Sequence, residues 1–176
     1  NTRMDDWMSK HNQQNYDAEG AFAASGKTNA TLLSKLLMDD YFQLAPPKST
    51  GFEYFNLEWL DKQVDKEMDS ADIQSTLCDL TATSIIRAIN QYTTDDTDEI
   101  YICGGGAHNK ELMRRLQAIT KCPVATTEVL GIHPDWVEAM AFAWLAYRHN
   151  HQQTGNLPSV TGASKAVILG KKFLAR

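Results

Sequence analysis

Cysteine is scarce in this chain: Cys78, Cys103 and Cys122 form an odd set with no Cys-x-x-Cys spacing. That excludes a disulfide framework and a structural zinc site, and free thiols fit a reducing, cytoplasmic setting. Positive charge is thin as well. Seventeen Lys and Arg stand against 22 Asp and Glu, a net charge of −5, and no basic run exceeds Lys171-Lys172. The footprint of a nucleic-acid partner is therefore missing. No apolar run approaches the roughly 20 residues of a membrane span; the longest is Ala139 to Tyr147, and the polar start has no signal-peptide pattern. Repeats and low-complexity segments are absent. The histidines are dispersed, and His149 and His151, two apart at a helix end, point away from each other, so no metal site is expected.

What is present suffices for one domain with a real core, 176 residues long. The chain opens on Asn1 rather than Met, and Met4, Trp7 and Met8 already stand at helical spacing, so a fragment of a longer protein is expected. The apolar period gives helices over 2–10, 17–24 and 29–39, the last with Leu32, Leu33, Leu36 and Leu37 on one face and Thr28 or Asn29 as its cap. Pro46 and Pro47 break the chain over 45–51, and a short helix around 57–63 follows. The longest pattern, 71–92, carries Ile73, Leu77, Leu80, Ile85 and Ile89 and predicts a central, largely buried helix. After an acidic turn at 94–98, a strand at 100–103, a helix at 110–120 and a strand at 123–127 form a unit that favours parallel pairing. A helix from about 135 to 150 has Val137, Met140, Ala141, Trp144 and Leu145 as its core-facing stripe. A loop then runs from 155 to 162, and 166–169 reads as a last strand.

Chemistry concentrates where the first strand ends. Gly104, Gly105 and Gly106 allow positive φ and close approach of a ligand to the backbone, and a helix N-terminus follows. The alternative is an ordinary tight turn. Asp135 and Glu138, three apart at a helix start, either present two carboxylates to a cleft or form a capping box. Cys103 sits as a nucleophile at a strand-to-helix turn would, yet it has no base assigned by motif and reads equally as a small apolar filler. His108 is the nearest histidine. Lys48-Ser49-Thr50-Gly51 offers a cation and two hydroxyls for a phosphate or a sugar, without the Walker order, and otherwise is an exposed loop.

Four segments in order resemble the C-terminal half of the anhydro-N-acetylmuramic acid kinase family. They are Pro47-Lys48-Ser49-Thr50-Gly51-x-Glu53-Tyr54-Phe55-Asn56-Leu57, Cys103-Gly104-Gly105-Gly106-Ala107-x-Asn109, the run Asp135 to Ala146, and Gly155-Asn156-Leu157-Pro158-x-Val160-Thr161-Gly162-Ala163-Ser164. The resemblance implies an α/β fold, helix-rich here, as the C-terminal part of an actin/hexokinase/Hsp70-like sugar kinase with ribonuclease-H-like sheets. It implies ATP and Mg²⁺ as cofactors, a small amino-sugar as substrate, a cytoplasmic homodimer, and a place in peptidoglycan recycling. Gly104, Gly105 and Gly106 would lie against the nucleotide with Asn109 positioning the turn, and Glu138 would bind the sugar. The family's phosphate loop is absent from this sequence, and its catalytic Asp falls in a segment of which only Asn1 remains. No catalytic residue is therefore expected here, and the chain alone is expected to be inactive, marginally stable and left with an open sheet edge. Two other readings stand beside this one: a non-catalytic nucleotide- or sugar-binding module of the same superfamily, and a cysteine-dependent acyl-transfer enzyme using Cys103.

Overall fold

The computed structural model describes residues 2–93 and 97–173; the readings made at Asn1 and at positions 94–96 lie outside them. Helix α1 (Thr2–Asn12) buries Met4, Trp7 and Met8. The Trp7 indole N–H donates to the Ser70 carbonyl at 2.9 Å, fixing the helix to the centre of the fold. The helix expected over 17–24 is broken in two. A 3₁₀ turn at Ala18–Gly20 precedes α2 (Ala21–Ser25), with Glu19 and Gly20 at φ 56° and 77°. The cause is Asp17. Its buried carboxylate accepts the N–H of Phe22 and of Ala23, each at 2.9 Å, so the helical run starts only beyond the turn.

Helix α3 (Ala30–Leu37) starts at Asn29, which caps the Leu32 N–H at 2.9 Å, one of the two expected candidates. It buries Leu32, Leu36 and Leu37. After α4 (Asp40–Gln43), the loop with its cis Pro46-Pro47 bond leads to α5 (Leu57–Asp61), capped by Asn56. Helix α6 (Ser70–Tyr92) is the expected central element. It buries Ile73, Leu77, Cys78, Leu80, Ala82 and Ile86 and packs on α1, α2, α3 and on α7 (Lys110–Ile119). Strands β1 (Ile100–Ile102) and β2 (Val124–Thr126) flank α7 in sequence and pair in parallel, Ile100 opposite Val124 and Ile102 opposite Thr126. The expected βαβ unit is thus formed. Among the described residues no third strand joins this sheet.

Beneath α7 lies a buried polar hub. The Arg115 guanidinium donates to Glu111 Oε1 at 2.6 Å, to the Ser75 carbonyl at 2.5 Å and to the Ser75 hydroxyl at 2.7 Å, and lies 3.1 Å from Asp79 Oδ1. Thr28 and the Ala23 carbonyl complete the shell at 3.1 and 3.4 Å. Glu111 also takes a two-point contact from Arg114. Hydrogen bonds from Arg114, then from Arg115, hold its carboxyl well below the usual range, at about 2, despite burial acting the other way.

Two expectations fail in the C-terminal quarter. Helix α8 (Val137–Asn150) forms, but none of its residues is buried, and Met140 and Trp144 of the supposed core stripe remain about half exposed. Periodicity marks an apolar stripe, whereas burial needs an opposing surface. Among the described residues α8 packs chiefly on the turn before it, and it bonds to the tail, where Arg148 donates to the Thr154 carbonyl and His149 to that of Leu169. Phe142, off the stripe, is exposed too, as is Trp136 in the turn just before the helix. The second failure is the strand at 166–169, which does not form. Val167 bonds instead with Gly155 and Asn156 across a loop, without a ladder partner, and a short α9 (Pro158–Thr161) stands where loop was expected.

Candidate functional site

Strand β1 delivers the chain to Gly104, whose φ of 71° and ψ of −171° suit glycine alone. An added Cβ at Gly104 or Gly105 would meet nothing within 4 Å, and at Gly106 only Leu112 Cδ2 at 3.6 Å. The turn therefore faces open space with its backbone bare. A 3₁₀ turn at Gly105–His108 follows, and Asn109 caps α7 by accepting the Leu112 N–H at 2.8 Å. Asn109 thus joins the turn to α7, and its side-chain amide oxygen is spent on that cap.

The turn forms one wall of a cleft of about 480 Å³, within the range of small-molecule sites. Gly105, Gly106, His108 and Asn109 line this side, with Leu112 at its floor. The facing wall brings Met4 and Asp5 from α1 and Asn15, Tyr16, Asp17 and Glu19 from the loop before α2. Burial, reinforced by the neighbouring carboxylates Asp6 and Asp17, pushes the Asp5 carboxyl above its ordinary range. None of these facing residues was singled out from sequence as a site residue; Met4 left a trace there only as an apolar residue at helical spacing, and Asp17 only as the start of a helical period.

Glu138 lies outside this cleft. It is exposed in the first turn of α8, and its side chain makes no hydrogen bond or ion pair among the described residues. The two regions are nonetheless tied together: the Gly104 N–H donates to the Pro134 carbonyl at 3.0 Å, and His108 Nε2 lies 2.7 Å from Asp135 Oδ1. That second bond overturns the capping box. Pro134 opens a 3₁₀ turn, Pro134–Trp136, capped by His133, so α8 begins at Val137 and Asp135 turns to His108 instead of capping it.

Two other candidates fare differently from expectation. Lys48 is spent locally, donating to the carbonyls of Tyr41 at 3.1 Å and Phe42 at 3.5 Å with its ammonium 5.0 Å from the Tyr41 ring centroid. Its loop does not reach the cleft. Cys103 is exposed and makes no hydrogen bond among the described residues, while the His108 ring is engaged by Asp135. The base that a cysteine nucleophile needs is not beside it. Among the described residues no three His, Cys, Asp or Glu side chains gather to hold a metal ion, and no helix is long and apolar enough to cross a membrane.

Comparison with known proteins bears on the same segments. The family described as anhydro-N-acetylmuramic acid kinase matches residues 1–175. Curated relatives carrying that name include one from Shewanella amazonensis, 52% identical over 178 residues that cover 99% of this chain and 48% of the relative. One from Coxiella burnetii (strain Dugway 5J108-111) is 48% identical, covering 97% of this chain and 46% of its own length. A third, from Shewanella sp. (strain MR-7), is 49% identical across 100% of this chain and 48% of itself. The chain spans about half the length of these relatives.

Proposed function

The chain belongs to the anhydro-N-acetylmuramic acid kinase family, and on that premise we propose that it supplies the nucleotide half of an ATP-dependent sugar kinase acting in peptidoglycan recycling. In this reading the backbone of Gly104, Gly105 and Gly106 lies against the nucleotide, Asn109 holds the turn, and Glu138 hydrogen-bonds the amino-sugar. The observation that carries it is the open face above Gly104 and Gly105, bonded through the Gly104 N–H to Pro134 at the head of the helix that bears Glu138.

Water adds at the anomeric carbon of 1,6-anhydro-N-acetylmuramic acid, the bond from that carbon to O6 breaks, and O6 takes the γ-phosphoryl group while ADP leaves. The proton released by water needs a carboxylate base. We place that base upstream of Asn1, within an actin/hexokinase-like fold shared between two domains. Mg²⁺, which prefers phosphate oxygens and waters to an all-protein cage, spreads the phosphate charge when bound. No metal cage is needed from this chain.

The test is phosphoryl transfer from γ-labelled ATP to the anhydro-sugar, beside calorimetric titration of ADP. The chain alone is expected to bind ADP, to lose that binding in Gly105→Val, and to show no turnover. Fusion behind the N-terminal half of the Shewanella amazonensis relative should restore turnover, and Glu138→Gln should weaken it again with a raised KM for sugar. Turnover by the 176-residue chain would overturn the upstream base. ADP binding that ignores Gly105→Val would overturn the glycine turn as nucleotide seat, and a fusion that binds without turnover would mark a binding module.

A further inference from the structure

The wall facing the glycine turn is built with more care than a surface loop requires. Gln13, Glu19 and Gly20 all hold left-handed backbone, at φ 55°, 56° and 77°, a conformation that non-glycine residues keep only when their surroundings enforce it. Here the enforcement is visible. Gly20 presses against the start of α7 so closely that a Cβ would stand 2.2 Å from Asn109 Oδ1 and 2.7 Å from Glu111 Cβ. The Asp17 carboxylate takes the Phe22 and Ala23 N–H groups and the side-chain amide of the fully buried Gln74, and Lys110 reaches Glu19 at 2.7 Å. Both walls are thus mounted on one helix start, and the gap between them is preformed.

Charge then says what the gap accepts. Asp5, Asp17 and Glu19 line it, and neither Lys nor Arg does. The nearby Lys110 is already paired with Glu19. Burial also raises the Asp5 carboxyl, so added negative charge there is unwelcome. A polyphosphate does not fit such a wall. A flat, uncharged, hydrogen-bonding group does: the Tyr16 ring is about two-thirds exposed, the Asn15 side chain makes no hydrogen bond among the described residues, and the exposed Glu19 carboxylate, paired with Lys110 through Oε1, can accept further donors. Opposite them the Gly105 position is bare of any Cβ and has nothing within 4 Å of it.

We propose that Tyr16 and Glu19 form the nucleoside seat of this cleft, Tyr16 stacking on the base and Glu19 accepting from the ribose hydroxyls, with the phosphates leading out past Gly104. The proposal rests on the nucleotide reading above and adds its orientation and its specificity residues.

The test titrates adenosine, ADP, 2′,3′-dideoxyadenosine and inorganic triphosphate into the chain, following the amide resonances of Gly105 and Gly106. Adenosine and ADP should bind, and millimolar inorganic triphosphate should not displace adenosine. Tyr16→Leu should weaken adenosine about tenfold, the scale of one base stacked on an aromatic ring. Glu19→Gln should weaken adenosine but leave dideoxyadenosine unchanged. Both side chains are exposed, and Glu19→Gly, which suits the left-handed backbone, repeats the loss of the carboxylate in a variant whose fold is not at risk. Unchanged adenosine affinity in the Tyr16 and Glu19 variants, with Gly105→Val still abolishing ADP binding, would overturn this seat and leave the glycine-turn reading standing. Displacement of adenosine by triphosphate would overturn the orientation, and failure of adenosine to bind at millimolar concentration would overturn the seat outright.

Discussion

Substituting Gly20 by Ala tests whether the loop at 13–20 is docked on α7 as tightly as its geometry says. Two costs meet at this position. A side chain at φ 77° loses about 1–2 kcal/mol to the clash that disfavours left-handed backbone. The new Cβ would also stand 2.2 Å from Asn109 Oδ1 and 2.7 Å from Glu111 Cβ. Asn109 cannot swing away freely, because the same oxygen caps α7 at Leu112, so relief requires backbone movement at about 1–3 kcal/mol. The stiffer unfolded chain returns roughly 0.4–1 kcal/mol. A net loss of about 2–4 kcal/mol follows, which for a chain this long lowers Tm by roughly 4–16 °C. The matched control is Gly105→Ala, whose Cβ enters empty space and should move stability by no more than about 0.5 kcal/mol. Urea denaturation of the three proteins, read by circular dichroism, decides the matter. A Gly20→Ala loss below about 1 kcal/mol, or a Gly105→Ala loss equal to it, would refute the reasoning.

Replacing Arg115 by Met leaves Glu111 and Asp79 without their buried partner and should cost about 3–5 kcal/mol in denaturant. Arg114→Ala, removing an exposed guanidinium, should cost under about 1 kcal/mol. Because the Glu111 carboxyl is held down to about 2 from the ordinary 4.5 of a glutamate, its contribution is fully present above about pH 4.5 and is lost as pH falls toward 2. Urea midpoints measured across that window should fall in the native chain, and Arg115→Met should flatten part of the slope. Thiol titration with a chromogenic disulfide should label Cys103 at once. Cys78, fully buried and pushed up to about 12 by that burial, should react only on unfolding; early labelling of Cys78 would contradict its place in the core.

Sequence patterns held wherever one segment carried its own reason. The α6 stripe, the Asn29 cap and the parallel pairing of β1 with β2 are local or nearly so, and each appears as expected. Gly104 likewise takes the positive φ that a glycine run permits. What failed depended on neighbours distant in the chain. The α8 stripe could not announce that it would stay unburied, and the capping box lost to a bond from His108, 27 residues away. The cleft's second wall was illegible for the same reason: Asp5, Tyr16 and Glu19 carry no motif, and only folding brings them to face Gly105.

The Arg115 hub also bears on how the chain folds. Its partners Ser75, Thr28 and Ala23 lie 40, 87 and 92 residues away in sequence, so the guanidinium is satisfied only after two long loop closures, one to Ser75 and one to residues 23–28. Docking α7 on α6 before residues 23–28 arrive would bury a charge whose shell still lacks Thr28 and the Ala23 carbonyl, a costly state. The hub therefore acts as a checkpoint against partly assembled forms. Through one guanidinium it ties the packing of α7 on α6 to the docking of residues 23–28.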